Sequence, residues 1–156
     1  MKNIKIYLHK ENCKEAELIE IDENQLIDEV TIKVPGEEIH LFIEDEDNSK
    51  QLQHNCTEAG IKDRDHVHCH RCHTVTLVLE YNGKEKSISL SPSATGRRIL
   101  RKASELFDIT EGDASKLKLM LPGDIEMDKL KHIGQFTEYP KCEVKIIQSS
   151  DTKVEG

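Results

Sequence analysis

The sequence predicts an α+β chain of two small lobes built to one plan and followed by a short polar tail. Three observations carry this reading. The chain has 156 residues, of which 36% are hydrophobic, with a mean hydropathy of -0.60 and no Trp. That is too polar for one ordinary core, and it suits two small lobes with much surface for their volume. Residues 74–148 read as hairpin, helix, strand, short connection, strand. The same apolar spacing recurs in the first half: Leu52 and His54 stand 78 positions before Leu130 and His132, and Ile61, Val67 and Cys69 stand 75 positions before Phe136, Cys142 and Val144. Charged residues make up 33% of the chain, yet strand and helix periods run through most of it, which excludes disorder there.

The elements follow in order. Ile4, Ile6 and Leu8 alternate in a first strand, and Ile19 with Ile21 fits a second. A helix capped by Asp22 or Asn24 has Leu26, Ile27 and Val30 for its face. The β-branched run Val30, Thr31, Ile32 and Val34, with Pro35-Gly36 behind it, cuts that helix short. Ile39, Leu41 and Ile43 form a strand, and the acidic residues 44–48 form a solvated turn. They lack the 12-residue ligand pattern of a calcium loop. Residues 65–70 close lobe one.

In lobe two, Val75, Leu77 and Leu79 share one face of a strand. Asn82-Gly83 supplies the positive-φ pair of a tight hairpin, and Ile88 and Leu90 alternate in the returning strand. Thr95 lies in the capping stretch 91–95 before a helix over 96–107, which buries Ile99, Leu100, Ala103, Leu106 and Phe107 and turns Arg97, Arg98, Arg101 and Lys102 to water. Residues 116–121 alternate as a strand closed by Pro122-Gly123-Asp124. A short segment leads to a last strand over 141–147. The expected boundaries are 1–71 for lobe one, 72–148 for lobe two and 149–156 for the exposed tail. Only about three residues separate the last strand of lobe one from Thr74, so a semi-rigid pair is expected.

The formal net charge of -8, from 22 Lys+Arg against 30 Asp+Glu, argues against nucleic acid or an anionic membrane as the main partner. The N-terminus starts a strand rather than a targeting segment, and no stretch approaches the length of a membrane span. Five scattered cysteines suit a reducing cytoplasm better than a disulfide framework.

The run His66-Val67-His68-Cys69-His70-Arg71-Cys72-His73 is dense in metal-ligating types, and Cys69 and Cys72 have C-x-x-C spacing. Strand alternation puts His66, His68 and His70 on one face and Cys69 with Val67 on the other, so four ligands do not converge. No metal and no cofactor is expected. The three histidines are read as an exposed stripe that meets a partner or packs against lobe two. Catalysis is not expected either, because no orienting third group or oxyanion site accompanies the Cys and His residues.

The order and lengths of lobe two resemble ubiquitin, with Leu117-Lys118-Leu119-Met120-Leu121-Pro122-Gly123 like its central strand and turn. Leu130-Lys131-His132-Ile133-Gly134 followed by 142–147 is like its closing segment. The resemblance implies two tandem ubiquitin-like (β-grasp) domains. It also implies a conjugation-type tail: in such modifiers a terminal glycine carboxylate is adenylated, passed to a cysteine as a thioester and joined to an amine. On that reading Gly156 is the reacting position, and Lys153, Val154 and Glu155 are the residues an activating enzyme would recognise. The acidic Glu155 in place of ubiquitin's arginines implies a dedicated enzyme. The outer face of the last strand, which carries His66, His68 and His70 in lobe one, corresponds to a partner-binding surface of ubiquitin.

The two-lobed layout resembles the interferon-induced ubiquitin-like modifier, and more closely its bacterial counterparts encoded in antiphage conjugation operons. The partners this implies are an ATP-dependent activating enzyme, a conjugating enzyme, a deconjugating metalloprotease and an amine on a target protein, with self-association left open. The alternative is a non-covalent double β-grasp adaptor or self-assembling scaffold.

Overall fold

The computed structural model describes residues 3–29, 31 and 36–150. Lobe one contains β1 (Asn3–Lys10), β2 (Glu17–Asp22), a 3-10 turn (Ile27–Glu29), β3 (His40–Ile43), the one-turn helix α1 (Cys56–Ala59) and β4 (His66–His70). Lobe two contains β5 (Val75–Tyr81), β6 (Lys84–Leu90), α2 (Gly96–Leu106), α3 (Glu111–Ala114), β7 (Leu117–Leu121), β8 (Ile125–Met127), a 3-10 turn (Ile133–Phe136) and β9 (Glu143–Ser150).

The sheet orders are β2-β1-β4-β3 and β6-β5-β9-β7-β8. In each lobe the first two strands form an antiparallel hairpin, and the first and last strands are parallel neighbours: β1 beside β4 and β5 beside β9. A parallel pair needs a crossover, and in lobe two α2 lies on that crossover. These are two tandem β-grasp domains.

The local chemistry of lobe two follows the pattern of its sequence. Asn82 and Gly83 have φ of 51° and 78°, the doubly positive pair that matches strand twist. The Thr95 side chain accepts a hydrogen bond from Arg98 N at 3.4 Å and caps α2. Ile99, Leu100 and Ala103 are buried against β5, β7 and β9, with Leu106 and Phe107 packed at the margin.

Lobe one departs from expectation between β2 and β3. Among the described residues that span holds only the 3-10 turn, with Ile27 buried. Val30, Ile32, Val34 and Pro35 lie outside the described residues. The lobe's α-helical turn is instead α1, where Asn55 accepts from Glu58 N and Glu58 accepts from Asn55 N in a reciprocal capping box, and Gly60 ends the turn at φ 78°. The spacing Asn55-x-x-Glu58 was readable as such a cap.

Three further expectations are corrected. Ser149 and Ser150, assigned to the tail, extend β9 and pair with Lys118 and Leu117. The cysteines are not all thiols: Cys72 and Cys142 form a disulfide. They meet because β5 and β9 run side by side in parallel, with Thr76 opposite Glu143, so the residues leading into both strands are adjacent. The acidic turn after β3 is not simply solvated. Asp45 accepts from Thr95 N at 2.8 Å and from its hydroxyl at 3.0 Å, and Asp47 accepts from Ser91 N and from both terminal nitrogens of Arg98. Arg98, expected to face water, is thereby held against lobe one.

Candidate functional site: the histidine-lined junction

β4 is the strand on which the two lobes meet. Val67 and Cys69 point into the core of lobe one beside Ile6, Leu8 and Leu41. The opposite face, expected to meet a partner or pack against lobe two, carries His66 at the surface and His68 and His70 at only 2% exposure. Lobe two covers them. The flanking strands bring matching residues to the same side, since His9 of β1 and Phe42 of β3 are both in register with His68. Phe42 is fully buried although alternation in β3 turns it away from the lobe's own core. Its ring lies 6.2 Å from that of His73, in the connection between the lobes.

His70 is fixed by two hydrogen bonds. Nε2 donates to the Thr137 carbonyl at 3.0 Å, which leaves Nδ1 to accept from Cys72 N at 2.9 Å. This pattern defines the neutral Nε2–H tautomer. Burial lowers the His70 pKa, against the upward pull of Glu11. Gly134 of lobe two comes so close that an added Cβ would lie 2.8 Å from the Pro92 carbonyl and 3.0 Å from His70 Cδ2. Asn12 N donates to the Gly134 carbonyl at 3.0 Å.

Next to it, Glu11 accepts from Arg71 Nε and N at 3.0 Å and Arg71 Nη2 at 2.8 Å, and from Tyr139 N at 2.9 Å. Burial works to raise the Glu11 pKa, but these donors outweigh it and bring it down to about 2. Arg71 also lies over the Tyr139 ring at 5.4 Å from its centroid. A groove of about 360 Å³ runs beside this cluster, lined in part by Lys10, Asn12, Cys13 and Arg71.

Deeper in the junction, His9 stacks on His68 with centroids 4.3 Å apart, and His132 meets both rings edge-on at 4.8 and 4.3 Å. His68 Nε2 lies 3.1 Å from Glu44 Oε1, while His68 Nδ1 is buried with no hydrogen-bond partner. The carboxylate fixes the Nε2–H tautomer and leaves a bare lone pair on Nδ1. A buried acceptor in that condition costs about 1–3 kcal/mol. Burial depresses the pKa of all three rings: His9 to about 4, helped by His66, His132 to about 2, helped by His68 and His9, and His68 well below its ordinary value, helped by His9 and His66. They are neutral at physiological pH.

The sequence reading singled out His66, His68 and His70 but missed His9, His132 and Glu44. The parallel pairing of β1 with β4 brings in His9, and only the docking of lobe two brings in His132. Cys69 and Cys72, which share C-x-x-C spacing, face apart in the fold, since Cys69 faces the lobe-one core and Cys72 is bonded to Cys142. Gly156, Lys153, Val154 and Glu155 lie outside the described residues.

The two parallel-centred sheets and their docking make this a tandem ubiquitin-like protein. Residues 75–147, just under half of the chain, match the family model of the BilA ubiquitin-like domain 2. Among solved structures, the chain is similar to a designed protein based on ubiquitin, with 13% identity and a TM-score of 0.42 over 53% of this chain and 95% of that one. It is also similar to the ubiquitin-like domain of an Arabidopsis thaliana protein, with 12% identity and a TM-score of 0.42 over 53% of this chain and 85% of that one. No curated protein gives a significant match. The fold assignment rests on the strand orders and the family match rather than on these partial superpositions. No helix among the described residues is long and apolar enough to cross a membrane.

Proposed function

We propose that this protein is a two-lobed ubiquitin-like modifier of the bacterial antiphage type, joined to target proteins through the carboxylate of Gly156 in the cytoplasm. The observation that carries the reading is the match of residues 75–147 to the BilA ubiquitin-like domain 2, in a lobe whose last strand, β9, ends six residues before Gly156.

The chemistry is that of an acyl donor. In the activating enzyme the Gly156 carboxylate attacks the α-phosphorus of ATP, which forms an acyl adenylate and releases pyrophosphate. A cysteine thiolate of that enzyme then displaces AMP to give a thioester. After transfer to the conjugating enzyme, a target amine attacks the thioester carbonyl, loses a proton and releases the thiol. Glycine suits this passage because it has no Cβ to obstruct a narrow channel, and Lys153, Val154 and Glu155 are the residues the enzymes would read. A metalloprotease would hydrolyse the resulting amide. The protein itself is the substrate of all these steps and catalyses none of them.

The test is incubation with the activating and conjugating enzymes and ATP, using wild-type protein and a variant lacking Gly156, followed by intact mass measurement. Adducts should form with the wild type alone. Adducts that persist without Gly156 would overturn attachment through that residue, and none with it would leave the non-covalent adaptor as the better reading.

A further inference from the structure

We propose that His9, His68 and His132 form a binding site for a divalent transition-metal ion of the zinc class, and that the bound ion ties lobe one to lobe two. The three imidazoles each offer a nitrogen, and these nitrogens lie within 4.8 Å of one another. Two come from adjacent strands of lobe one, His9 on β1 and His68 on β4 in register with it. The third comes from the segment before the second 3-10 turn of lobe two. An ion held by all three would therefore bridge the lobes.

Four features favour a metal over a mere stack of rings. The ligand type is right, because neutral imidazole suits zinc and its borderline neighbours. The site is mostly dry, with His68 and His132 at 2% and 4% exposure. His68 Nδ1 is a buried lone pair with no partner, and its other nitrogen is bonded to the Glu44 carboxylate at 3.1 Å. Carboxylate on one side of an imidazole and metal on the other is the arrangement that fixes the tautomer and raises ligand basicity. His9 is steadied in the same way by His66, whose Nδ1 lies 2.8 Å from His9 Nε2.

The neighbouring charges are mixed: Glu44 favours a cation, while Lys131 opposes one. Bonds of about 2.0–2.1 Å in a tetrahedral site place ligand nitrogens roughly 3.3 Å apart. Binding thus draws the three rings inward by rotation of their side chains. The site differs in ligands from the C-x-x-C pair considered in the sequence, and it does not depend on whether Gly156 is conjugated.

The experiment uses untagged full-length protein stripped with EDTA, titrated with zinc chloride at neutral pH by calorimetry, with cobalt(II) as a spectroscopic probe. A single saturable site is expected, with visible cobalt d–d bands free of thiolate charge transfer, and zinc should raise the melting temperature of the wild type. Glu44→Gln should weaken binding by about 10–100-fold while leaving the circular dichroism of the apoprotein unchanged. His132→Ala should lose the site and the zinc-dependent rise in melting temperature. If His132→Ala is poorly folded, Glu44→Gln carries the test alone. The absence of saturable uptake, wild-type affinity in Glu44→Gln, wild-type binding by His132→Ala, or a cobalt spectrum dominated by thiolate would each overturn the proposal.

Discussion

Lobe two closes its own core, whereas lobe one is finished by its neighbour. Among the described residues, the core of lobe two gathers sixteen buried side chains between a five-stranded sheet and an 11-residue helix. It is also bonded internally by Cys72–Cys142. The described residues of lobe one gather eleven, under a four-stranded sheet with one turn of α-helix. What lobe one lacks in its own layer it gains at the junction. There His68 and His70 are covered by lobe two, and Asp45 and Asp47 hold the start of α2. The same strand plan thus yields one lobe suited to independent folding and one that is stable as a docked partner. Small domains that bury a low fraction of their surface are marginal for this reason.

The largest expected effect comes from separating the lobes. A fragment of residues 72–156 should fold with dispersed amide proton resonances, while residues 1–71 should show collapsed or unfolded spectra. A well-dispersed spectrum from residues 1–71 would break the comparison. Within lobe two, Ile99→Ala removes a fully buried side chain of α2 and should cost about 2–5 kcal/mol of stability in urea unfolding.

At the junction, Gly134→Ala forces a Cβ against the Pro92 carbonyl and His70. Overpacking of this kind should cost about 1–3 kcal/mol, and it should speed hydrogen exchange in β4 while sparing α2. The smallest effect is electrostatic. The Glu11 carboxyl is lowered from 4.5 to about 2 in the folded protein, so its contribution is complete above the unfolded value and is lost as pH falls from about 4.5 toward 2. In Glu11→Gln, urea midpoints should therefore be lower than wild type near neutrality and converge with it toward pH 2.

Much of this was legible in the sequence, for stated reasons. Asn82-Gly83, the alternation of Val75, Leu77 and Leu79, and the one-sided face Ile99, Leu100, Ala103 are local signals, and each element formed where its signal lay. Of the helix expected in lobe one from Leu26, Ile27 and Val30, the described residues hold a 3-10 turn at Ile27–Glu29, and Val30 lies outside them. The junction was only partly legible. Alternation correctly separated Val67 and Cys69 from His66, His68 and His70. No local pattern shows that a second lobe buries one side of that strand, or that His132 arrives there from more than sixty residues away. The sign that was available is in β3, where Leu41 and Phe42 are apolar in succession and so call for cover on both faces.

The claim that matters most for function is the covalent one, and the tail itself supplies a signature for it. Trypsin cleaves after Lys153, so a target lysine joined to this protein retains Val154-Glu155-Gly156 as a branch on its side chain. Conjugates formed in the presence of the activating and conjugating enzymes should be digested and read by tandem mass spectrometry. The account expects lysines bearing that three-residue branch, linked through the Gly156 carbonyl. Conjugates whose peptides carry no such branch, or a branch ending at another residue, would contradict it.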